Sequence, residues 1–134
     1  MKVIIYTDGG ARGNPGPAGI GVVIYDEKKV LLATHKRYIG EATNNQAEYQ
    51  AVIFALEKAL ELGAKRVDFK LDSELVVKQL RGEYKVKNEQ LAILVQDVLQ
   101  LSNKFLQINY SHVPREQNEL ADQLVNEAID SHLE

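Results

Sequence analysis

Cysteine is absent from the 134 residues, which excludes disulfides and thiolate metal centres. No apolar run approaches the ~18 residues that a membrane-spanning helix needs. The opening Met1-Lys2-Val3-Ile4-Ile5-Tyr6 reaches Thr7-Asp8-Gly9 too early for a secretory leader. A cytoplasmic protein with no membrane partner is therefore expected. A basic excess is missing as well. Sixteen Lys and Arg stand against 19 Asp and Glu, giving a net charge of −3 and a pI near 5.6. Taken alone, that balance disfavours a nucleic-acid partner, whose usual footprint is basic. Glycine (9) and proline (3) are at ordinary levels, and no repeat or low-complexity segment is visible. Collagen-like and disordered chains are thereby excluded. What is present is 45% hydrophobic and 26% charged. One globular domain over residues 1–134 is expected, and it can bury about two-thirds of its unfolded surface without covalent staples.

The charge is unevenly placed. Residues 1–57 are balanced, 58–87 carry +3, 88–104 carry −1 and 105–134 carry −5. The +3 segment reads either as ordinary solvated surface or as one basic patch on an acidic body.

Periodicity and punctuation predict the elements. Lys2 to Asp8 is rich in β-branched and aromatic residues and apolar on both faces, like a central strand. Gly9 to Pro17 reads as a loop. Strands at Gly19–Tyr25 and Val30–Ile39 flank a polar turn, Asp26-Glu27-Lys28-Lys29. Thr43 and Gln46 fit a capping box, opening a helix that runs to about Leu62 and stops at Gly63. Lys65–Leu71 alternates as a strand, and Ser73 caps a short helix ending near Arg81-Gly82. Asn88–Leu101 has helical spacing, Phe105–His112 is a fifth strand, and a last helix is expected from about Glu116 to Ile129. This order predicts an α/β fold: a five-stranded mixed sheet flanked by helices. Its first three strands are antiparallel and its later strands parallel through helical crossovers.

Four carboxylates fall where acids are costly. Asp8 and Asp72 end strands; each alone also reads as a turn or capping acid. Glu48 lies on the stripe Glu48, Val52, Ala55, Ala59, Leu62, which should face the sheet. It also reads as a first-turn Glu favoured by the helix dipole. Asp122 lies among Ala121, Leu124, Val125, Ala128 and Ile129, and alone reads as a helix-rim acid. Together, two acids on neighbouring strand ends can meet two on covering helices. Four such groups stay ionised only with cations beside them. An all-oxygen set suits Mg²⁺ or Mn²⁺, and a pair of such ions supports in-line displacement at phosphorus.

The motifs Tyr6-Thr7-Asp8-Gly9-Gly10, Gly13-Asn14-Pro15-Gly16-Pro17, Thr43-Asn44-Asn45-Gln46-Ala47-Glu48, Leu71-Asp72-Ser73 and Asn118-Glu119-Leu120-Ala121-Asp122 run the length of the chain. In this order they resemble type 1 ribonuclease H. The resemblance implies a ribonuclease H-like fold, acting as a monomer. It also implies hydrolysis of the RNA strand of RNA–DNA hybrids, leaving 5′-phosphate and 3′-hydroxyl ends. It makes Asp8, Glu48, Asp72 and Asp122 the catalytic metal ligands for two Mg²⁺ ions, with Mn²⁺ substituting. It sets Asn14, Asn44 and Asn45 along the minor groove, with Gln46 nearby and Thr43 near a DNA phosphate. Amides both donate and accept, which suits the 2′-hydroxyl that distinguishes RNA.

Three features depart from the family pattern. The stretch His112-Val113-Pro114-Arg115-Glu116-Gln117 is short and has no Gly-His loop. His112 then reads as a packed strand-end residue rather than a turnover group, and Arg115 as a substitute contact to phosphate. The basic protrusion is reduced to Gly82–Lys87, leaving Lys78, Arg81, Lys85 and Lys87 as a smaller patch. Glu74 follows Asp72-Ser73 where relatives often carry an uncharged residue. Two rival functions remain: a broader nuclease that also cuts double-stranded RNA, and a non-cleaving nucleic-acid binding module.

Overall fold

The computed structural model describes residues 1–133. The elements are β1 (Lys2–Ala11), β2 (Gly16–Asp26), β3 (Leu31–Ala42), α1 (Asn44–Glu61), β4 (Arg66–Leu71), α2 (Glu74–Leu80), α3 (Glu89–Ser102), β5 (Gln107–His112) and α4 (Glu119–Leu133). A 3₁₀ turn at Arg115–Gln117 precedes α4. The strands form one sheet in the order β3-β2-β1-β4-β5. The β1–β2 and β2–β3 pairs are antiparallel, and β1–β4 and β4–β5 are parallel. This is the mixed sheet that hairpin-length links followed by helical crossovers require.

Alternation along the strands divides the core. Val3 and Ile5 of β1 and Val67, Phe69 and Leu71 of β4 pack with the buried stripe of α1, and α3 closes that side through Leu91 and Val98. On the opposite face Val23 of β2 packs with Ala121 and Leu124 of α4. Glu48, Val52, Ala55 and Ala59 are buried as their spacing predicts. Leu62 departs from the stripe: it is the C-cap of α1 and is 40% exposed, because the chain leaves the helix at that residue.

The capping box is present. Thr43 Oγ1 accepts from the Gln46 N–H at 3.1 Å, and the Gln46 carboxamide accepts from the Thr43 N–H at 2.9 Å. Gly63 follows the helix with φ 77°, the left-handed stop expected of it.

The predicted boundaries shift in two places. The segment read as a loop is largely strand: Gly9, Gly10 and Ala11 pair with Ile20, Gly19 and Ala18, and only residues 12–15 turn. Low side-chain content hid this extension, because β-propensity rewards side chains that pack. The last helix begins at Glu119 and not at Glu116. Asn118, with φ −118° and ψ 21°, breaks the helical run. The helix also continues past Ile129 to Leu133, held where Arg12 pairs with Asp130 at 2.6 Å and Tyr38 stacks on His132 at 3.6 Å.

Close approach explains two of the glycines. A Cβ on Gly9 would lie 2.2 Å from the Ala47 carbonyl oxygen in α1, and one on Gly21 would lie 2.3 Å from that of Ala121 in α4. Both obstacles are backbone, so neither can rotate away. These two residues let one helix settle on each face of the β1–β2 pair. Gly21→Ala is therefore expected to destabilise the protein by about 1–3 kcal/mol through overpacking, read as a lower urea midpoint with an unchanged slope. Gly40→Ala has open space around its Cβ and serves as a control limited to the strain of its positive φ.

Candidate metal centre

The parallel register sets Tyr6 opposite Lys70. Carried two residues on, it brings Asp8 beside Asp72, the residue just after β4; Asp8 does not end its strand as expected, because β1 runs on to Ala11 in its pairing with β2. The second turn of α1 adds Glu48; the first turn carries no acid, so Glu48 is not a first-turn dipole residue, and the Gly9 N–H holds it against β1. Carboxylate oxygens of Asp8, Glu48 and Asp72 all lie within 4.8 Å of one another. Asp122, in the first turn of α4, lines the same cleft beside Asp8 but stands outside that trio. The cleft has a volume of about 530 Å³ and is open to solvent.

Burial here is severe for charged groups. Asp8 and Glu48 are each only 7% exposed. Glu48 Oε1 accepts the Gly9 N–H at 3.1 Å, while Oε2 is buried with no partner. Desolvation pushes the Asp8 carboxyl up from 3.8 to about 7, and the charges of Asp72 and Asp122 push the same way. Glu48 is pushed well above the ordinary carboxylate range, first by burial and then by the charge of Asp8. A buried, unpartnered carboxylate oxygen facing two more carboxylates is the environment a hard divalent cation satisfies. The donor set is all oxygen, and the described residues thus fit such an ion.

The other predicted site residues surround this centre with different degrees of freedom. Asn14 Oδ1 accepts the Asn44 N–H at 3.0 Å, and Asn44 Oδ1 accepts the Ala11 N–H at 2.8 Å. The β1–β2 turn is thereby tied to the start of α1, and the Asn44 NH₂ group is left to point outward. Asn45 is half-buried. Gln46 is committed internally: besides capping, its NH₂ donates to Gln90 Oε1 at 2.8 Å. Arg115 lines the carboxylate cleft, as its placement before α4 requires.

His112 departs from the packed reading. It is exposed at the end of β5, because β5 is an edge strand and its last residue passes the helices that cover the sheet. The basic patch is partly cancelled. Lys78 pairs with Glu74 at 3.0 Å and Arg81 with Glu83 at 3.1 Å, whereas Lys85 and Lys87 are exposed. The Glu74 carboxylate thus meets a cation one turn away.

One residue with a structural part in the site escaped the sequence reading. Asn118, 1% exposed, donates to the Thr7 carbonyl at 2.8 Å and to Asp72 Oδ2 at 3.1 Å. Its only signal in the sequence is its place in the motif that carries Asp122. Nothing in helical spacing reveals a contact with β1 and with the residue that follows β4.

Comparison with known proteins places this arrangement. A family model described as reverse transcriptase-like matches residues 6–128. A bifunctional protein of Mycobacterium tuberculosis is 47% identical over 98% of the chain, which spans 36% of that protein's length. A ribonuclease HI of Halobacterium salinarum is 43% identical over 96% of the chain, which spans 65% of it. The crystal structure of ribonuclease H1 from that archaeon superposes with a TM-score of 0.96 at 42% identity, covering 98% of this chain and 99% of that one. The LC11 ribonuclease H1, crystallised in complex with an RNA/DNA hybrid, superposes with a TM-score of 0.95 at 50% identity, covering 98% and 99%.

The clustered acids make stability depend on pH. The native Asp8 carboxyl holds its proton to about pH 7, whereas the unfolded chain releases it near 4. Between these values the native state binds more protons, so this group's contribution makes stability fall as pH rises through the window. Without metal, Asp8→Asn should stabilise the protein by about 2–4 kcal/mol at pH 8 and by much less at pH 4. Thermal melts in chelator at the two pH values check this. A divalent cation should raise the melting temperature of the wild type more at pH 8 than at pH 5.

Proposed function

This chain belongs to the type 1 ribonuclease H family, and from that premise we propose that it hydrolyses the RNA strand of RNA–DNA hybrids. The observation that carries the reading is the convergence of Asp8, Glu48 and Asp72, with one Glu48 oxygen buried and unpartnered, in a cleft that Asp122 also lines. The hybrid bound to the LC11 relative, which is similar over nearly the whole chain, supports the substrate class.

In this reading Asp8, Glu48, Asp72 and Asp122 hold two Mg²⁺ ions, with Mn²⁺ able to substitute because both accept carboxylate oxygens. Divalent ions bound there supply a lower pKa for the attacking water and counter-charge for the departing 3′ oxygen. Without counter-charge these carboxylates would repel the scissile phosphate. Hydrolysis leaves the phosphate on the 5′ end of one product and a hydroxyl on the 3′ end of the other.

The remaining residues position the substrate. The free NH₂ of Asn44 and the amide of Asn45 face a minor groove in which the 2′-hydroxyl both donates and accepts. Asn14 sets the angle of Asn44 through their hydrogen bond. Thr43 carries its hydroxyl at the start of α1, where backbone N–H groups favour a phosphate. Gln46 acts by fixing this turn. Arg115 offers a guanidinium to phosphate at the cleft, and exposed His112 stands ready to assist product release.

Cleavage of RNA–DNA hybrid, duplex RNA and duplex DNA, each with Mg²⁺ and with Mn²⁺ at one salt concentration, tests the proposal. Hybrid should be cut in its RNA strand only, and excess EDTA should stop the reaction. Asp8→Asn should reduce cleavage to background while hybrid binding survives. Equal cutting of duplex RNA would favour the broader nuclease, and binding with no metal-dependent product would favour the non-cleaving module.

A further inference from the structure

The Asn118 side chain lies where three parts of the carboxylate centre meet. Its NH₂ reaches the carbonyl of Thr7, the residue before Asp8, at 2.8 Å and the Asp72 carboxylate at 3.1 Å. The backbone carbonyl of Asn118 accepts the Asp122 N–H at 3.1 Å, one turn into α4. Both partners of the NH₂ are acceptors with no proton to give, so only the donor end of the amide can face them. The side chain is 1% exposed, and its Oδ1 is buried with no partner. An asparagine that stabilised the fold alone would be expected to satisfy both ends. Here the donor end is used fully, on a backbone carbonyl and a carboxylate of the site. Asn118 also interrupts the helical run just before α4, the conformation that lets its side chain descend to the sheet.

We infer that Asn118 is a positioning residue for the metal centre: it orients the Asp72 carboxylate through Oδ2 and indexes α4, with Asp122, to β1 at Thr7, next to Asp8. The inference rests on the proposed reading of these carboxylates as metal ligands. Donating to one carboxylate oxygen leaves the lone pairs of the other for a cation shared with Asp8 and Glu48. It also restrains rotation that would let Asp72 swing to solvent, since Asp72 is only half-buried. Loss of a hydrogen-bond donor that orients a metal ligand commonly costs 10–100-fold in metal affinity.

The test compares the wild type with Asn118→Leu, which keeps the branched outline at a larger volume and removes the donor, and with Asn118→Ser, whose smaller side chain stops one bond short of the donor. Mn²⁺ affinity is measured by calorimetry well below the melting temperature, and cleavage of a hybrid gives kcat and KM separately. Asn118→Leu should melt a few degrees lower yet remain folded, and bind Mn²⁺ 10–100-fold more weakly. The Mn²⁺ needed for half-maximal cleavage should rise in step, with KM for the hybrid unchanged at saturating metal. Mn²⁺ affinity within twofold of wild type in a folded variant would overturn the inference. If Leu does not fold, Ser decides; failure of both to fold also overturns it, since Asn118 would then be holding the fold and not the carboxylate. Wild-type protein that binds no Mn²⁺ would instead sink the metal reading beneath it.

Discussion

Mutual repulsion among buried carboxylates is the constraint on which the rest of this structure depends. Asp8, Glu48 and Asp72 converge within 4.8 Å, in surroundings dry enough to push Asp8 to about 7. Left to themselves, such groups would turn toward water. They are held by what lies behind them. The parallel β1–β4 ladder sets Asp8 beside Asp72, the Gly9 N–H pins Glu48, and Asn118 pins Asp72. The two close-approach glycines belong to the same account, because each lets a helix carrying an acid lie directly on the sheet. Stability is given up locally so that a cation can recover it, a common trade at functional sites.

The same constraint reinterprets the net charge. The value of −3 counts the four site acids as surface. If they are assigned to metal, 15 acids remain against 16 bases. The basic segment does not make up for the lost protrusion, since Glu74 and Glu83 pair with Lys78 and Arg81. Binding of nucleic acid would then rest on few lysines and on phosphates drawn to the metal centre, and it would weaken steeply with salt. Charge placement, not net charge, describes how such a chain meets a polyanion.

Much of the fold was legible because local rules and tertiary demands agree. The capping box at Thr43, the stop at Gly63 and the alternation of Val67, Phe69 and Leu71 each signal through neighbours in sequence. The errors occur where they disagree. Gly9 to Ala11 extend β1 although they lack the side chains that mark a strand, since here space for α1 matters more than packing surface. Glu116 falls outside the last helix because Asn118 leaves the helical path, which nothing local signals. The strand position of His112 suggests packing, yet an edge strand leaves its last residue uncovered.

The sequence by itself determined the order of elements, the two sheet senses and the four unusual acids. These follow from periods of two and 3.6, from link lengths and from the cost of a carboxylate on an apolar face. Only the tertiary structure decided that three of the acids form one cluster with Asp122 at its side, that Gln46 is spent on architecture, and that Asn118 touches both Thr7 and Asp72. Those contacts join residues far apart in the chain. Distances between such residues are set by how the helices seat on the sheet, which no single segment encodes.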